Sequence, residues 1–437
     1  MVGKDEGQQP TVVTGDVSGE PTGTPTRRRL LQGFGAGSFA ALGMTPASGA
    51  GTDCPADQES DGTLDSQPFY GPRQAGVVTP QPAAALFAAF DVLADNRAGV
   101  EKLLRTLTKR IAVLTNGELA PAPMLDPKLP PADSGLLGPQ IYPDNLTMTV
   151  AVGASLFDDR FGIAAAKPRH LITMEQFPND ALDRKLCHGD LMLQICSNTS
   201  ETNIHALRDV IKNLPDLLAL RWKLDGFLPP HTIKRAGKDT VRNLLGFKDG
   251  TANLAVSDSA LMERVVWVQP GSDEPEWTAG GSYQVVRVIR NLVERWDRTP
   301  LAEQQRIIGR NKMSGAPLGM KNEHDIPPYA SNPQDESIAL DAHIRLANPR
   351  NKESESSLIL RRGYNFSRDL SPAGQLDMGL LFVCFQSNLS AGFLAIQKRL
   401  GGEPLEEYIK PVGGGYFFVL PGAQDKNAFL GQGLLSA

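Results

Sequence analysis

Three short stretches of this chain set residue types that do chemistry beside residues that make room for it. Residues 341–350, DAHIRLANPR, place His343 close to Arg345, Asn348 and Arg350. Further on, LILRRGYNF at 358–366 reads as a strand with Arg361 inside it. Strand alternation puts Leu358, Leu360, Arg362, Tyr364 and Phe366 on one face, and Ile359, Arg361, Gly363 and Asn365 on the other. The first face is apolar apart from Arg362, which would reach the rim or meet a carboxylate. The second aims a fixed cation into space left by Gly363. The third stretch, GFKDGT at 246–251, brackets Asp249 with two glycines, and glycine permits positive φ or a close backbone approach to a ligand.

Each stretch also has a plainer reading. His343 reads as a buried or capping histidine, Arg361 as half of an ion pair, and GFKDG as a turn. The turn is not a phosphate cradle, because the GxxxxGK[ST] spacing is missing. No two of the six histidines form HxH or HExxH, which argues against a zinc hydrolase. His170 precedes a strand, His188 and His205 read as surface positions, His231 follows two prolines, and His324 is in a charged loop. His343 is left as the candidate single axial ligand of an iron cofactor, a geometry that keeps the other metal face open for oxygen chemistry.

Val100, Leu103, Leu104, Leu107 and Ile111 recur at helical spacing, and 146–152 alternates like a half-buried strand. Between them the Pro-rich stretch 119–143 is a loop, and PRHLITMEQFPNDAL is part strand and part loop. DLMLQICS at 190–197 is a strand, followed by an amphipathic helix that Ser200 could cap. The same order recurs downstream. SYQVVRVIRNLVERW opens with a strand, and TPLAEQQRIIGR is a helix with Thr299 as cap and Pro300 at its first position. MGLLFVCFQS is a strand, Leu389, Phe393, Ile396 and Leu400 mark a helix, and GGGYFFVLPG is the closing strand.

GDLMLQICSNTSETNIHALRDVIKNL and MGLLFVCFQSNLSAGFLAIQKRL both run strand, Ser-Asn, helix. Internal duplication explains this, and each half fits β-α-β-β-α-β. The predicted class is therefore α+β, with two ferredoxin-like halves and antiparallel sheets. A doubly wound parallel sheet would need more alternating helices. The expected divisions are 1–50 extension and signal, 51–70 linker, 71–235 N-terminal domain and 236–437 C-terminal domain. A sheet with helices on one side should be wetter on the other. Strand 378–386 is apolar on both faces, so either the other sheet or a flat hydrophobic body covers its second face. The C-terminal half is the expected cofactor bearer.

Length, 437 residues, suggests two or three domains. A formal charge of −5 and no basic stripe give no support to nucleic-acid binding. The four cysteines have no CxxC spacing; Cys187 and Cys196 could pair only if a turn joined them, and buried free thiols are the plainer reading for Cys196 and Cys384. Residues 26–32, TRRRLLQ, followed by a short glycine-rich apolar run, resemble a twin-arginine export signal and make a poor membrane anchor.

GFKDGTAN, DAHIRLANPR and ILRRGYNFS, in that order, resemble the dye-decolourising peroxidase family, and within it an exported iron-uptake-associated deferrochelatase/peroxidase branch. The resemblance runs from about 65 to 430. It implies haem b (iron protoporphyrin IX), with His343 as proximal iron ligand and metal-binding residue, and Asp249 and Arg361 as the distal catalytic pair above the other haem face. It further implies Arg345 as a propionate contact, Gly250 and Thr251 at the cofactor, Asn253 as pocket support, and the loop 309–319 as pocket edge. The implied activity is reduction of hydrogen peroxide with one-electron oxidation of dyes, phenols or other donors. Trp222, Trp267, Trp277, Trp296 and the seven tyrosines are possible relays for bulky donors. Alternatives are release of iron from haem with the porphyrin intact, or a non-catalytic exported haem carrier. The expected location is periplasmic or extracellular, with a homodimer and an iron-uptake permease as possible partners.

Overall fold

In a computed structural model of the chain, β1 (Ala84–Val92) buries both of its faces. Leu86, Ala88 and Phe90 pack outward under helices, while Ala85, Phe87 and Ala89 face inward toward a second sheet. The structure describes residues 62–117, 127–131, 133–138, 140–230, 240–371 and 373–437. The extension and export signal expected at 1–50, the first part of the linker, and His231 lie outside the described residues.

The first half runs β1, α1 (Arg97–Asn116), β2 (Thr147–Gly153), β3 (Leu191–Ser197), α2 (Ser200–Asn213) and β4 (Leu218–Phe227). Its antiparallel order is β4-β1-β3-β2. After α3 (Ser259–Val265), the second half holds β5 (Ser282–Asn291), β6 (Leu360–Arg361), β7 (Tyr364–Leu370), β8 (Leu376–Gln386) and β9 (Ile409–Val419). The order β9-β5-β8-β7 repeats the first half, so the expected duplicated ferredoxin-like, antiparallel α+β fold is present. Between β5 and β6 the chain makes a long excursion through α4 (Val293–Trp296), α5 (Leu301–Ile308), α6 (His343–Ala347) and α7 (Lys352–Glu355). A π-helical turn, Ser390–Leu394, leads into α8 (Ala395–Leu400).

The two sheets join edge to edge. β2 pairs with β9 through Ala151↔Val419 and its neighbours, and β4 meets β7 at Phe227↔Asn365, which closes the strands into a ring. Closure corrects the expectation of a wetter second face. Met192, Gln194 and Cys196, on the side of β3 away from the helices, are fully buried inside the ring. β2, expected to be half-buried, is buried along its whole length. Both coverings foreseen for β8 are realised: Leu381, Val383 and Phe385 meet the other sheet, while Leu380 and Phe382 line a cavity on the outer side.

Local corrections have simple causes. Arg362 and Gly363 interrupt the expected strand 358–366, although the alternation of faces survives. A Cβ on Gly363 would lie 3.2 Å from the Leu381 carbonyl oxygen, so this glycine lets the chain approach β8 rather than opening space before Arg361. Among the described residues Arg362 meets no carboxylate; its guanidinium donates to the carbonyls of Thr79 and Pro80. Helix α2 begins at Ser200, and the preceding Thr199 hydroxyl donates to Asp144 instead of capping it. Pro300, not Thr299, occupies the cap position of α5, and the Thr299 hydroxyl bonds the Arg295 carbonyl. The segment 168–182 contains no strand. His205 is buried against Ser134 rather than at the surface, and Cys187, Cys196 and Cys384 are free thiols. Among the described residues, no helix is long and apolar enough to cross a membrane.

Candidate active site

His343 opens α6, a helical turn within the excursion between β5 and β6. Ala342 before it is buried with Ile338 and Tyr329, which anchors the turn. The His343 Nδ1 lies 2.8 Å from Glu403 Oε2, and the Glu403 side chain is 3 % exposed. Burial pushes the His343 pKa down, but the charge and hydrogen bond of Glu403 outweigh it and raise the pKa. With Nδ1 as the donor to Glu403, the ring turns Nε2 toward the cavity as its potential metal-ligating atom. Sequence reading did not find Glu403. It lies sixty residues downstream, just past α8, in a Gly-Gly-Glu-Pro turn with no local signature.

Asp249 and Arg361 reach the same cavity from two other segments. The Arg361 Nη1 donates to Asp249 Oδ1 at 2.6 Å. Burial pushes the Asp249 carboxyl up, and the Arg361 guanidinium more than offsets this, holding it below the usual carboxylate range. Among the described residues, Oδ2 has only a long 3.4 Å contact, from Asn243 Nδ2, and is the oxygen available for proton transfer. Gly246 and Gly250 do take positive φ, 84° and 122°, which most side chains would resist.

The Asp249 loop is held from both sides. Asn253 donates to the Arg361 carbonyl at 2.7 Å and accepts from the Arg361 N–H at 2.9 Å. Glu323 accepts from Lys248 Nζ at 2.6 Å, from Thr251 Oγ1 at 2.8 Å, and from Thr240. Desolvation would raise its pKa, but these donors bring it down to about 2. The Thr251 hydroxyl is thus engaged with Glu323, although Thr251 and Gly250 both line the cavity.

Arg345 is not brought to the cavity. Its guanidinium is buried against the carbonyls of Pro333, Asp335 and Ile338 and lies over the Tyr329 ring. Arg310 and Arg350 line the cavity instead. Arg310, in the loop expected to form the pocket edge, donates to the Gly315 and Glu323 carbonyls. The Arg350 Nε is buried with no hydrogen-bond partner among the described residues.

The residues present suit a planar iron cofactor. Leu358, Ile359, Leu380, Phe382, Phe393 and Ile396 give the cavity apolar walls, with one oriented imidazole and four arginines, Arg287, Arg310, Arg350 and Arg361, around it. The unpartnered Arg350 nitrogen fits an anionic substituent. Among the described residues, no group of three or more His, Cys, Asp or Glu side chains could hold a metal ion.

Comparison with known proteins gives a consistent result. Family models described as Dyp-type peroxidase, N-terminal, and Dyp-type peroxidase, C-terminal, match residues 74–228 and 240–424. A protein of Escherichia coli O157:H7 named Deferrochelatase is 58 % identical over 417 residues, covering 94 % of this chain and 97 % of that protein. The crystal structure of a DyP-type peroxidase from Cellulomonas bogoriensis superposes with a TM-score of 0.76 at 34 % identity, over 86 % of this chain and 99 % of that one. An oxyferrous complex of DtpA from Streptomyces lividans gives 0.77 at 31 % identity, with 86 % and 99 % coverage.

Proposed function

This chain belongs to the Dyp-type peroxidase family, and from that premise we propose that His343, Asp249 and Arg361 form its peroxide-cleaving centre. The chain is a haem-dependent peroxidase whose substrates are hydrogen peroxide and an electron donor. The observation that carries the residue assignment is the convergence, on one apolar cavity, of a carboxylate-oriented imidazole with a paired Asp and Arg.

His343 would hold the iron through Nε2, with Glu403 fixing the tautomer and increasing the electron density of the ring. Arg350 and Arg310 would take the anionic edge of the macrocycle. When bound, haem supplies the metal at which the peroxide O–O bond is broken and the oxidising equivalents are held. Asp249, already ionised, takes a proton from one peroxide oxygen at Oδ2 and delivers it to the other. Arg361 keeps Asp249 ionised and stabilises the negative charge that develops as the bond breaks. Asn253 and Glu323 hold the loop so that neither group has to reorganise.

Stopped-flow mixing of the haem-loaded protein with peroxide tests this assignment. Arg361→Ala should slow the reaction with peroxide severely while haem stays bound, and near-normal kinetics would remove Arg361 from the mechanism.

The name of the 58 % identical relative supports a second reading at the same cavity, removal of iron with the porphyrin left intact. Incubation with haem and a reductant would then release protoporphyrin, seen by its fluorescence. No fluorescence alongside robust peroxide-dependent dye oxidation excludes it. The RRRLLQ segment supports twin-arginine export to the periplasm or exterior, so that residues 236–437 would carry haem in an exported protein. A homodimer and an iron-uptake permease partner belong to the same proposal. Size-exclusion chromatography with light scattering tests the first, and co-purification from membranes the second.

A further inference from the structure

Phe247, two residues before Asp249, lines the cavity and starts a stack of aromatic rings that leads away from it. Its ring meets Trp296 edge to face at 6.0 Å between centroids, and Trp296 meets Tyr408 in the same way at 4.9 Å. Trp296 is completely buried, and Tyr408 lies under the exposed Arg295 at the outer end. Rings this close pass electrons between them. Beside a strongly oxidising cofactor the stack is a liability, because Trp296 is the easily oxidised ring nearest to Phe247.

Two features oppose the loss of an electron from Trp296. The Lys312 Nζ lies 5.5 Å from the Phe247 ring centroid and 5.9 Å from that of Trp296. An ammonium over a ring is attracted to its π electrons, and it repels the cation left when one of them departs. The second feature is the indole N–H, which donates to the Leu245 carbonyl at 2.9 Å. A carbonyl is too weak a base to take that proton. Oxidised Trp296 would therefore have to persist as a radical cation facing Lys312.

Lys312 is placed deliberately by its surroundings. Its Nζ donates to Gln304 Oε1 at 2.7 Å, and its backbone N–H to Gln305 Oε1 at 2.9 Å. Gly246 makes room for the stem, since a Cβ there would lie 2.7 Å from Lys312 Cε. The hydrogen-bond partner of the ammonium is a neutral amide rather than a carboxylate, so its charge bears on the rings. Burial lowers the Lys312 pKa, and the charge of Asp297 acts against this. None of this is needed to hold the cofactor or to cleave peroxide.

We propose that Lys312 insulates Trp296 from the oxidised cofactor, so that oxidising equivalents wait at the cavity for an external donor. The proposal rests on the peroxidase reading above. The step that Lys312 prevents is the transfer of one electron from Trp296. The cofactor would be reduced by one equivalent, the indole would be left as a radical cation, and no proton would move.

The test compares the haem-loaded wild type with Lys312→Met and Lys312→Gln, which remove the charge, and with Lys312→Arg, which keeps it. After peroxide is added without a donor, freeze-quenched electron paramagnetic resonance should show at least fivefold more indole radical in the two neutral variants. Their oxidised absorption spectrum should also decay at least fivefold faster. Lys312→Arg should match the wild type in both respects. The double variant Lys312→Met/Trp296→Phe should lose both effects, which assigns the electron to Trp296. Lys312→Gln can still hydrogen-bond Gln304, and it carries the comparison if Lys312→Met fails to load haem. Equal radical yield and decay in the wild type and the neutral variants overturns the proposal. Lys312→Arg behaving like Lys312→Met also overturns it, because the effect would then come from loop placement and not from charge. A wild-type protein whose spectrum does not respond to peroxide removes the peroxidase reading first, and the insulation with it.

Discussion

Asn253 and Arg361 are separated by 108 residues and exchange two hydrogen bonds, amide to carbonyl at 2.7 Å and backbone N–H to side-chain oxygen at 2.9 Å. The exchange fixes the loop carrying Asp249 to the two-residue strand carrying Arg361. The Arg361–Asp249 ion pair at 2.6 Å is thus set by backbone as well as by charge.

Asn253→Ala should therefore weaken catalysis without touching any reacting group. Loss of this positioning is expected to slow peroxide cleavage by about 10²-fold. Haem affinity should change little, because His343 and Glu403 are untouched. Stopped-flow rates and haem titration of the same sample check the two halves of the expectation.

Removing Arg361 deletes the cation that meets the developing charge, and Arg361→Ala is expected to cost about 10²–10³-fold in peroxide cleavage. Asp249→Asn should bring a smaller or similar loss, since the arginine is still present. Transient kinetics of both variants at one pH give the comparison.

The pH profile should carry the signature of the pair. With its pKa depressed, Asp249 remains ionised as pH falls through the ordinary carboxylate range, and activity is lost only below it. In Arg361→Lys the charge is kept but its placement is looser, so the acid limb should move to higher pH. In Arg361→Ala the largest opposition to burial is gone, with only Asn243 and His343 still favouring the charged form, and the limb should move further. Rates of peroxide cleavage measured across the acid range decide it.

Glu323 should make the fold sensitive to strong acid. Its pKa falls from 4.5 to about 2, so its contribution is complete above the unfolded value and is lost as pH drops through about 2. The shift corresponds to at most about 3 to 4 kcal/mol. Glu323→Gln should be less stable than wild type at neutral pH, with the difference shrinking between roughly pH 4.5 and 2. Urea unfolding at several pH values measures it.

Much of this site could be read in the sequence because its groups lie in short motifs with local logic. Alternation alone put Arg361 opposite the apolar set Leu360, Tyr364 and Phe366, and the structure keeps that division. Arg345 was misplaced for a geometric reason. It stands two residues after His343 on a helical turn, so roughly 200° of rotation separates their side chains. Its neighbour Arg350 was in view in the same motif, but only the left-handed backbone at φ 57° shows how the chain turns back there. Glu403 carries no pattern, and its partnership with His343 exists only after α8 folds against α6. The wetter second face failed because ring closure depends on edge pairing between halves, such as Ala151 with Val419, and no single strand encodes it.

The most direct measurement is the absorption spectrum of the haem-loaded protein, recorded before and after one equivalent of hydrogen peroxide, for wild type and for His343→Ala. The expected result is an intense Soret band in the wild type that shifts on mixing, with a weakened or displaced band and little peroxide response in His343→Ala. A wild-type spectrum without a Soret band, or the same band and the same peroxide kinetics in both proteins, would contradict the assignment of His343 as the iron ligand at a peroxide-cleaving centre.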